Sequence, residues 1–419
     1  MFKKSAALVI LFFISVSVIF ARGENITMKI AVIGPGDKIY FRWGHIALMV
    51  EDKSTGGSYF FDYGIFSFDY ENFVTNFAFG RLLYKCAVST SKRNFDIYKS
   101  TNRDITLYTL DLPPETKHDV YLFAANNVLP ENCRYFYHHY RDNCSTRIRD
   151  IIDLATDGQF FELYGNAPGN LTYRQHVRRH LWYSPFLNWF LNFLMGQVID
   201  DPITEWDDMF LPSETAARIN DFWYTDINGE RKKLVSSVES VYKAHGRPPI
   251  LAKPRIQWPR ELALSLALSC LFGFFFYLQH KKKKAGRVLA GISVSICSLF
   301  FGIAGVLLYF MNLFTNHDYT YQNANMIFCT PLLLAAFPAG LYYALSKKPK
   351  KEKANGELIR LVWLLCAAGI LISMLIKLLP SFYQDNLPDQ MLMLPIALLF
   401  TLQPNGLKET LDRFRRKTP

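Results

Sequence analysis

The chain has no glycine-rich phosphate loop and no histidine–cysteine cluster with metal-site spacing. Its densest histidine pair, His138-His139, is adjacent in sequence, and adjacent residues do not converge on one ion. Neither a nucleotide nor a metal is therefore expected as a cofactor. Two stretches, 312–325 and 380–390, contain no Lys or Arg, although the formal charge is +11. The missing cations matter because the basic clusters lie elsewhere and abut apolar runs rather than cover a folded face. That placement argues against nucleic acid as a partner.

What is present falls into two regimes. Half the residues are apolar, and they concentrate after residue 260. Candidate membrane spans are Glu261–Gln279, Val288–Met311, Met326–Leu345, Ile359–Leu379 and the short Met391–Gln403. Lys281-Lys282-Lys283-Lys284 with Arg287 follows the first span, and Lys347-Lys348-Pro349-Lys350-Lys351 follows the third. Lys408, Arg413, Arg415, Arg416 and Lys417 occupy the tail. Positive residues mark the cytoplasmic side, so five spans with the N-terminal domain outside and the C-terminus inside fit every loop. The start, Lys3-Lys4 and an apolar run from Ala6 to Phe20, reads as a secretory signal peptide or an uncleaved anchor. The expected organisation is a signal segment at 1–21, an exported domain at 22–258 and a membrane domain at 259–419.

Within the exported domain the stretch richest in chemistry is Tyr140-Arg141-Asp142-Asn143-Cys144-Ser145-Thr146-Arg147. Ile148, Ile151, Ile152 and Leu154-Ala155 follow at helical spacing. Asn143 is a good N-cap, so Cys144 falls in the first turn, where unpaired N–H groups and the helix dipole favour an anionic sulfur. Arg42-Trp43-Gly44-His45 lies about a hundred residues earlier and opens an apolar, β-prone run. A helix-start cysteine with a strand histidine suits a thiol nucleophile and its base. A buried cysteine and a core histidine are the ordinary alternative, but the polar neighbours of Cys144 argue against it. Asp62, in Tyr59-Phe60-Phe61-Asp62-Tyr63-Gly64, is the only acid of an aromatic strand. It either orients the imidazole or makes a turn with Gly64, and spacing alone does not fix the register.

Further strands are expected at Ile30–Ile33, His45–Val50, Ser58–Tyr63, Tyr84–Ser89 and Ile105–Leu110, with a helix at Glu115–Val128. Residues 154–251 read as mostly helical. Trp182–Ile199 is densely apolar, either an interfacial element or a core helix, and Arg174, Arg178 and Arg179 precede it. Those arginines either meet lipid phosphates or are solvated. Of seven cysteines, Cys86, Cys133 and Cys144 lie in the exported domain. Their odd number leaves one thiol over in a disulfide-permissive compartment. Cys86–Cys133 is the favoured pairing, and Cys133–Cys144, which would silence the site, stays open. The polar loop 312–325 places His317, Asn323 and Asn325 at the outer surface, either to complete a site or to turn the chain.

The His45 segment, Asp62-Tyr63-Gly64, Asp142 to Arg147, Phe210-Leu211-Pro212 and His317…Asn323-Ala324-Asn325 together resemble the Lnb family of Bacteroidota envelope proteins. The resemblance covers nearly the whole chain. It implies an α+β papain-like domain of the permuted NlpC/P60 and lecithin:retinol acyltransferase type, followed by a helical membrane domain. It further implies lipoprotein N-acylation at the bacterial inner membrane, with a membrane phospholipid as acyl donor and a lipoprotein N-terminus as acceptor. Cys144 then becomes the nucleophile and His45 the base, with Asp62 where related folds use another polar group. Asn143, Ser145 and Arg147 become site support, and Trp43, Tyr63, Arg174, His317, Asn323 and Asn325 substrate-binding candidates. A periplasmic cysteine hydrolase of peptidoglycan or lipid, for which one span suffices, and a non-catalytic envelope scaffold are the alternatives.

Overall fold

The structure is a computed structural model that describes residues 23–67, 71–345 and 349–402. The expected signal segment, Lys347-Lys348 and the basic tail lie outside the described residues. The chain divides into two compact units. The first runs to residue 77 and adds Arg81–Tyr173 and Pro202–Ile250, and the second holds Ala78–Gly80, Arg174–Asp201 and everything from Leu251.

The first unit is built on strands β1 (Ile26–Ile33), β2 (His45–Asp52), β3 (Gly57–Ile65), β4 (Leu83–Thr90), β5 (Ile105–Leu110), β6 (Arg134–Phe136) and β9 (Val235–Tyr242). They form one antiparallel sheet in the order β6-β4-β3-β2-β1-β5-β9. Two short strands, β7 (Trp223–Thr225) and β8 (Arg231–Lys233), pair separately. The central strand β2 is apolar on both faces because both are covered. Ile46, Leu48 and Val50 meet Val120 and Ala124 of the Pro114–Asn127 helix and Ile148, Ile151 and Ile152 of the Cys144–Ala155 helix. Ala47 and Met49 turn the other way, toward Phe60, Leu107 and Tyr98 of the Ser91–Ser100 helix. Alternation with period two thus gives two cores from one strand.

Two expectations for the first unit need correction. The region 154–251 is not helical throughout, since β9 lies within it. Its Val-Ser-Ser-Val-Glu-Ser-Val-Tyr pattern is a half-exposed edge strand, whose serines hide the β-branched valines from a hydrophobic-run reading. Nor is the Cys86–Cys133 disulfide formed. The strands do bring the pair together, with the Cys86 N–H donating to Cys133 O at 2.7 Å. However, Cys86 is turned into the core, and the Cys133 thiol donates to Pro130 O at 3.6 Å.

The second unit is helical. Trp258–His280, Lys284–Phe314 and Lys353–Ile376 are long and apolar enough to cross a membrane. Leu333–Leu345 and Leu387–Thr401 are apolar but shorter. The third expected span, Met326–Leu345, is therefore not one helix: a 3-10 turn at Ala324–Ile327 precedes Pro331, and the helix begins only at Leu333. Trp189, Phe193 and Leu194 of the Pro185–Leu194 helix are buried in this unit's core, while Phe186 stays exposed. Gly291 and Gly340 let the Lys284–Phe314 and Leu333–Leu345 helices meet backbone to backbone. A Cβ on Gly291 would lie 2.6 Å from Gly340 O, and one on Gly340 would lie 2.8 Å from Gly291 O. Ser295 Oγ reaches Phe337 O at 2.9 Å in the same contact. Gly291→Val should cost about 1–3 kcal/mol by forcing these helices apart, read as a lowered melting temperature of the detergent-solubilised full-length protein. An unchanged melting temperature would refute the close contact.

Candidate active site

The two ends of the site are set by independent devices. Gly44 carries φ +84°, and a Cβ there would meet Ile33 O at 2.7 Å, so only glycine makes the turn that delivers His45 to the first position of β2. His45 is paired in register with Ile33. On the neighbouring strand Asp62 is registered with Ala47, and pairing becomes irregular between Asp62 and Ile65. Asp62 thus lies on the same face as His45, just before a bulge, and His45 Nε2 donates to its Oδ1 at 2.9 Å. The Cys144 thiol lies close enough to the same ring to raise its basicity.

Cys144 is the first residue of the Cys144–Ala155 helix. Asn143 caps it: its Oδ1 accepts from the N–H groups of Ser145 (2.7 Å) and Thr146 (3.0 Å), and Thr146 Oγ1 accepts from the Asn143 N–H (2.8 Å). Asn143 Nδ2 donates to His139 O at 2.7 Å and to Phe210 O at 3.0 Å. The Cys144 N–H, at the first helical position, has no intrahelical acceptor and stands next to its own sulfur. Ser145 is buried, its hydroxyl 2.8 Å from Thr215 Oγ1. Arg147 grips Asp142 at 2.5 and 2.7 Å and lies over the Tyr135 ring at 4.3 Å.

Burial opposes charge on His45, but the adjacent Cys144 sulfur and the Asp62 carboxylate outweigh it and raise the imidazole to about 9. The ring is then cationic at neutral pH, and the arrangement can hold an imidazolium between two anions. A group raised in the folded state stabilises below its unfolded value, near 6.5, and loses that stabilisation as pH climbs through about 9. Asp62→Asn should lower the melting temperature at pH 6, with the gap to the wild type narrowing as pH passes about 9. A gap that widened with pH would contradict this charge state.

Other candidates are placed elsewhere. Tyr63, next to Asp62, points to the opposite face, where it is buried with its hydroxyl accepting from Asn127 Nδ2 at 3.2 Å. It is therefore a core residue, not one presented to a substrate. Trp43 is half-buried, and its indole N–H has no partner among the described residues. Arg174, His317, Asn323 and Asn325 belong to the second unit. The lipid-phosphate role considered for Arg174 does not fit its surroundings. It is fully buried, paired with Asp200 at 2.7 Å, and donates to Asn192 O, Met195 O and Gly196 O. Arg178 pairs with Asp385. His317 Nδ1 lies 2.8 Å from the Tyr319 hydroxyl. Asn323 and Asn325 both donate to Phe193 O, and Asn325 also to Asp389. Among the described residues no three His, Cys, Asp or Glu side chains converge as metal ligands.

Sequence reasoning did not pick out Tyr98, Arg103 or Thr215. Tyr98 and Arg103 lie in the segment Tyr98–Arg103, which showed neither motif nor periodicity, and only the sheet brings it beside His45.

Comparison with known proteins adds the wider setting. Residues 21–179 match the family model described as the Lnb N-terminal periplasmic domain, and residues 255–402 match that described as the Lnb transmembrane domain. No curated protein and no solved structure matches. With its long apolar helices the chain is a multi-pass membrane protein with a periplasmic N-terminal domain.

Proposed function

Because the chain belongs to the Lnb family, we propose that it is a phospholipid-dependent acyltransferase that N-acylates lipoproteins at the bacterial inner membrane. Cys144 is the nucleophile, His45 its acid–base partner and Asp62 the group that orients the imidazole. The observation that carries this reading is an imidazole held by Asp62 at 2.9 Å and raised by the neighbouring Cys144, whose thiol sits at the open N-terminus of a capped helix. The sulfur attacks the ester carbonyl of a membrane phospholipid. The Cys144 N–H meets the developing oxyanion, and the His45 imidazolium protonates the departing lysophospholipid oxygen. The amino group of a lipoprotein's diacylglyceryl-cysteine then attacks the thioester, giving up a proton to neutral His45 as the amide forms and sulfur leaves. The Trp43 N–H, on the turn that carries His45, is buried and without a partner among the described residues, and is the donor nearest to hand for a substrate carbonyl once the site opens.

The exported domain at 22–258 is read as a permuted papain-like fold in which the histidine strand precedes the cysteine helix. The membrane domain at 259–419 is read as five spans, the two shorter apolar helices joining the three long ones. A donor and an acceptor that both reside in the bilayer account for so much membrane structure, which a soluble hydrolase would not need.

Intact mass of the full-length protein, reconstituted with one defined phospholipid, tests this. A fatty-acyl adduct removed by neutral hydroxylamine is expected, absent in Cys144→Ala and formed about 10²–10⁴-fold more slowly in His45→Ala. Adding a diacylated lipopeptide should discharge it as an amide. A folded Cys144→Ala protein that still acylates the amine would sink the reading.

A further inference from the structure

Arg103 is a buried charge without a matching one. Its side chain is 1% exposed, and no carboxylate lies within ion-pair distance among the described residues. Nε donates to Gly34 O at 2.8 Å, but Nη2 is buried with no hydrogen-bond partner. The guanidinium carbon stands 4.4 Å from the centre of the Phe41 ring and 5.2 Å from that of Tyr98. A Cβ on Gly36 would come within 3.2 Å of Arg103 Cδ. The chain that delivers His45 is therefore wrapped around this cation. Isolated buried cations are costly and persist where the surroundings supply or await an anion. Burial pulls Arg103 down to about 10, which still leaves it charged at neutral pH.

Tyr98 adjoins both this cation and His45. Its ring centre is 6.4 Å from that of His45. The residue is buried, and its hydroxyl has no hydrogen-bond partner among the described residues. Burial first, then the negative charges of Asp62 and Cys144, hold the phenol well above its ordinary value, so it keeps its proton and can only donate.

We infer that the Tyr98 hydroxyl, with Arg103 behind it, is the second donor to the oxyanion formed when Cys144 attacks an ester; this rests on the acyl-transfer reading above. As the sulfur–carbon bond forms, the carbonyl π pair moves onto oxygen, and the Tyr98 O–H and Cys144 N–H hydrogen-bond that oxygen without transferring a proton. Collapse restores the carbonyl and breaks the carbon–oxygen ester bond, and the His45 proton goes to the departing alkoxide. Arg103 never touches the substrate. It is a positioning residue, which fixes the Tyr98 ring and strengthens its O–H as a donor.

The test is Tyr98→Phe in the full-length protein with one defined phospholipid. Acyl-enzyme formation at saturating lipid should fall about 10²–10³-fold with the half-saturating lipid concentration unchanged. Alkylation of Cys144 by iodoacetamide builds no oxyanion and should proceed at the wild-type rate. A long-chain fatty aldehyde, whose hemithioacetal places an oxygen at the same point, should bind at least about tenfold more weakly. Arg103→Met should cost less in the Tyr98→Phe background than alone. Acylation by Tyr98→Phe within about threefold of wild type would overturn the inference. So would a parallel loss of alkylation, which places Tyr98 on His45 or on the fold. A wild type that alkylates but never acylates removes the acyl-transfer reading alone, and the aldehyde affinity still decides the role of Tyr98.

Discussion

The arrangement depends most on the Asn143 side chain. It closes two of the free N–H groups of the Cys144–Ala155 helix and ties that helix start to His139, four residues upstream, and to Phe210, from a distant stretch of chain. A cap is worth about 1 kcal/mol, but the positional effect is larger than the energy suggests. The apolar face of Ile148, Ile151 and Ile152 fixes how the helix is rotated on the sheet, and the cap fixes where it begins. With both settled, the first residue has one place to be. On the sheet side, the Gly44 turn and the Ile33–His45 register fix the imidazole in the same way.

The charges of the first unit can then be read as one set. Asp62 is buried and is tolerable only because an imidazolium sits 2.9 Å away. Arg103, also buried, faces the same region without a carboxylate of its own. When Cys144 is ionised, Asp62, His45, Cys144 and Arg103 sum to zero. Asp142 and Arg147 neutralise one another separately, with about a third of each side chain exposed. The interior is therefore electrically balanced in the state that has an anion on sulfur or on an adjoining oxygen. In a low-dielectric setting such preorganisation would serve the proposed reaction, since it stabilises developing charge without reorganisation.

Much of this was legible in the sequence because it is local. Asn143 before an apolar 3.6-residue repeat marks a helix start, and a β-prone run after Gly44-His45 marks a strand. The role of Asp62 was not legible, since two residues of strand slip separate an imidazole partner from a turn residue. Only the Ala47–Asp62 register decides it. Tyr98 and Arg103 were invisible for a related reason: neither belongs to a motif, and their meaning comes from the start of the central strand, more than fifty residues away in sequence. The edge strand β9 escaped because three serines and a glutamate among its exposed positions dilute its valines.

The polar residues of the second unit carry a different lesson. Arg174, Asn323 and Asn325, together with Gln384, Asn386 and Asp389, are buried. Their hydrogen bonds run to one another and to main-chain carbonyls: Gln384 donates to Asn323 and to Met195 O, and Asn386 donates to Asn325. A stretch dense in amides reads in sequence as a surface ready for a ligand. In a helical unit of spanning length it has another use. The Pro185–Leu194 helix ends inside this unit's core, so its last carbonyls and those just after it have no onward helix to supply donors. In that setting each exposed carbonyl costs several kcal/mol unless it is given a donor. Phe193 O, Met195 O and Gly196 O obtain theirs from Asn323, Asn325, Gln384 and Arg174. The amides and Arg174 are thus the partners of a helix end within the unit, which is why these side chains face inward.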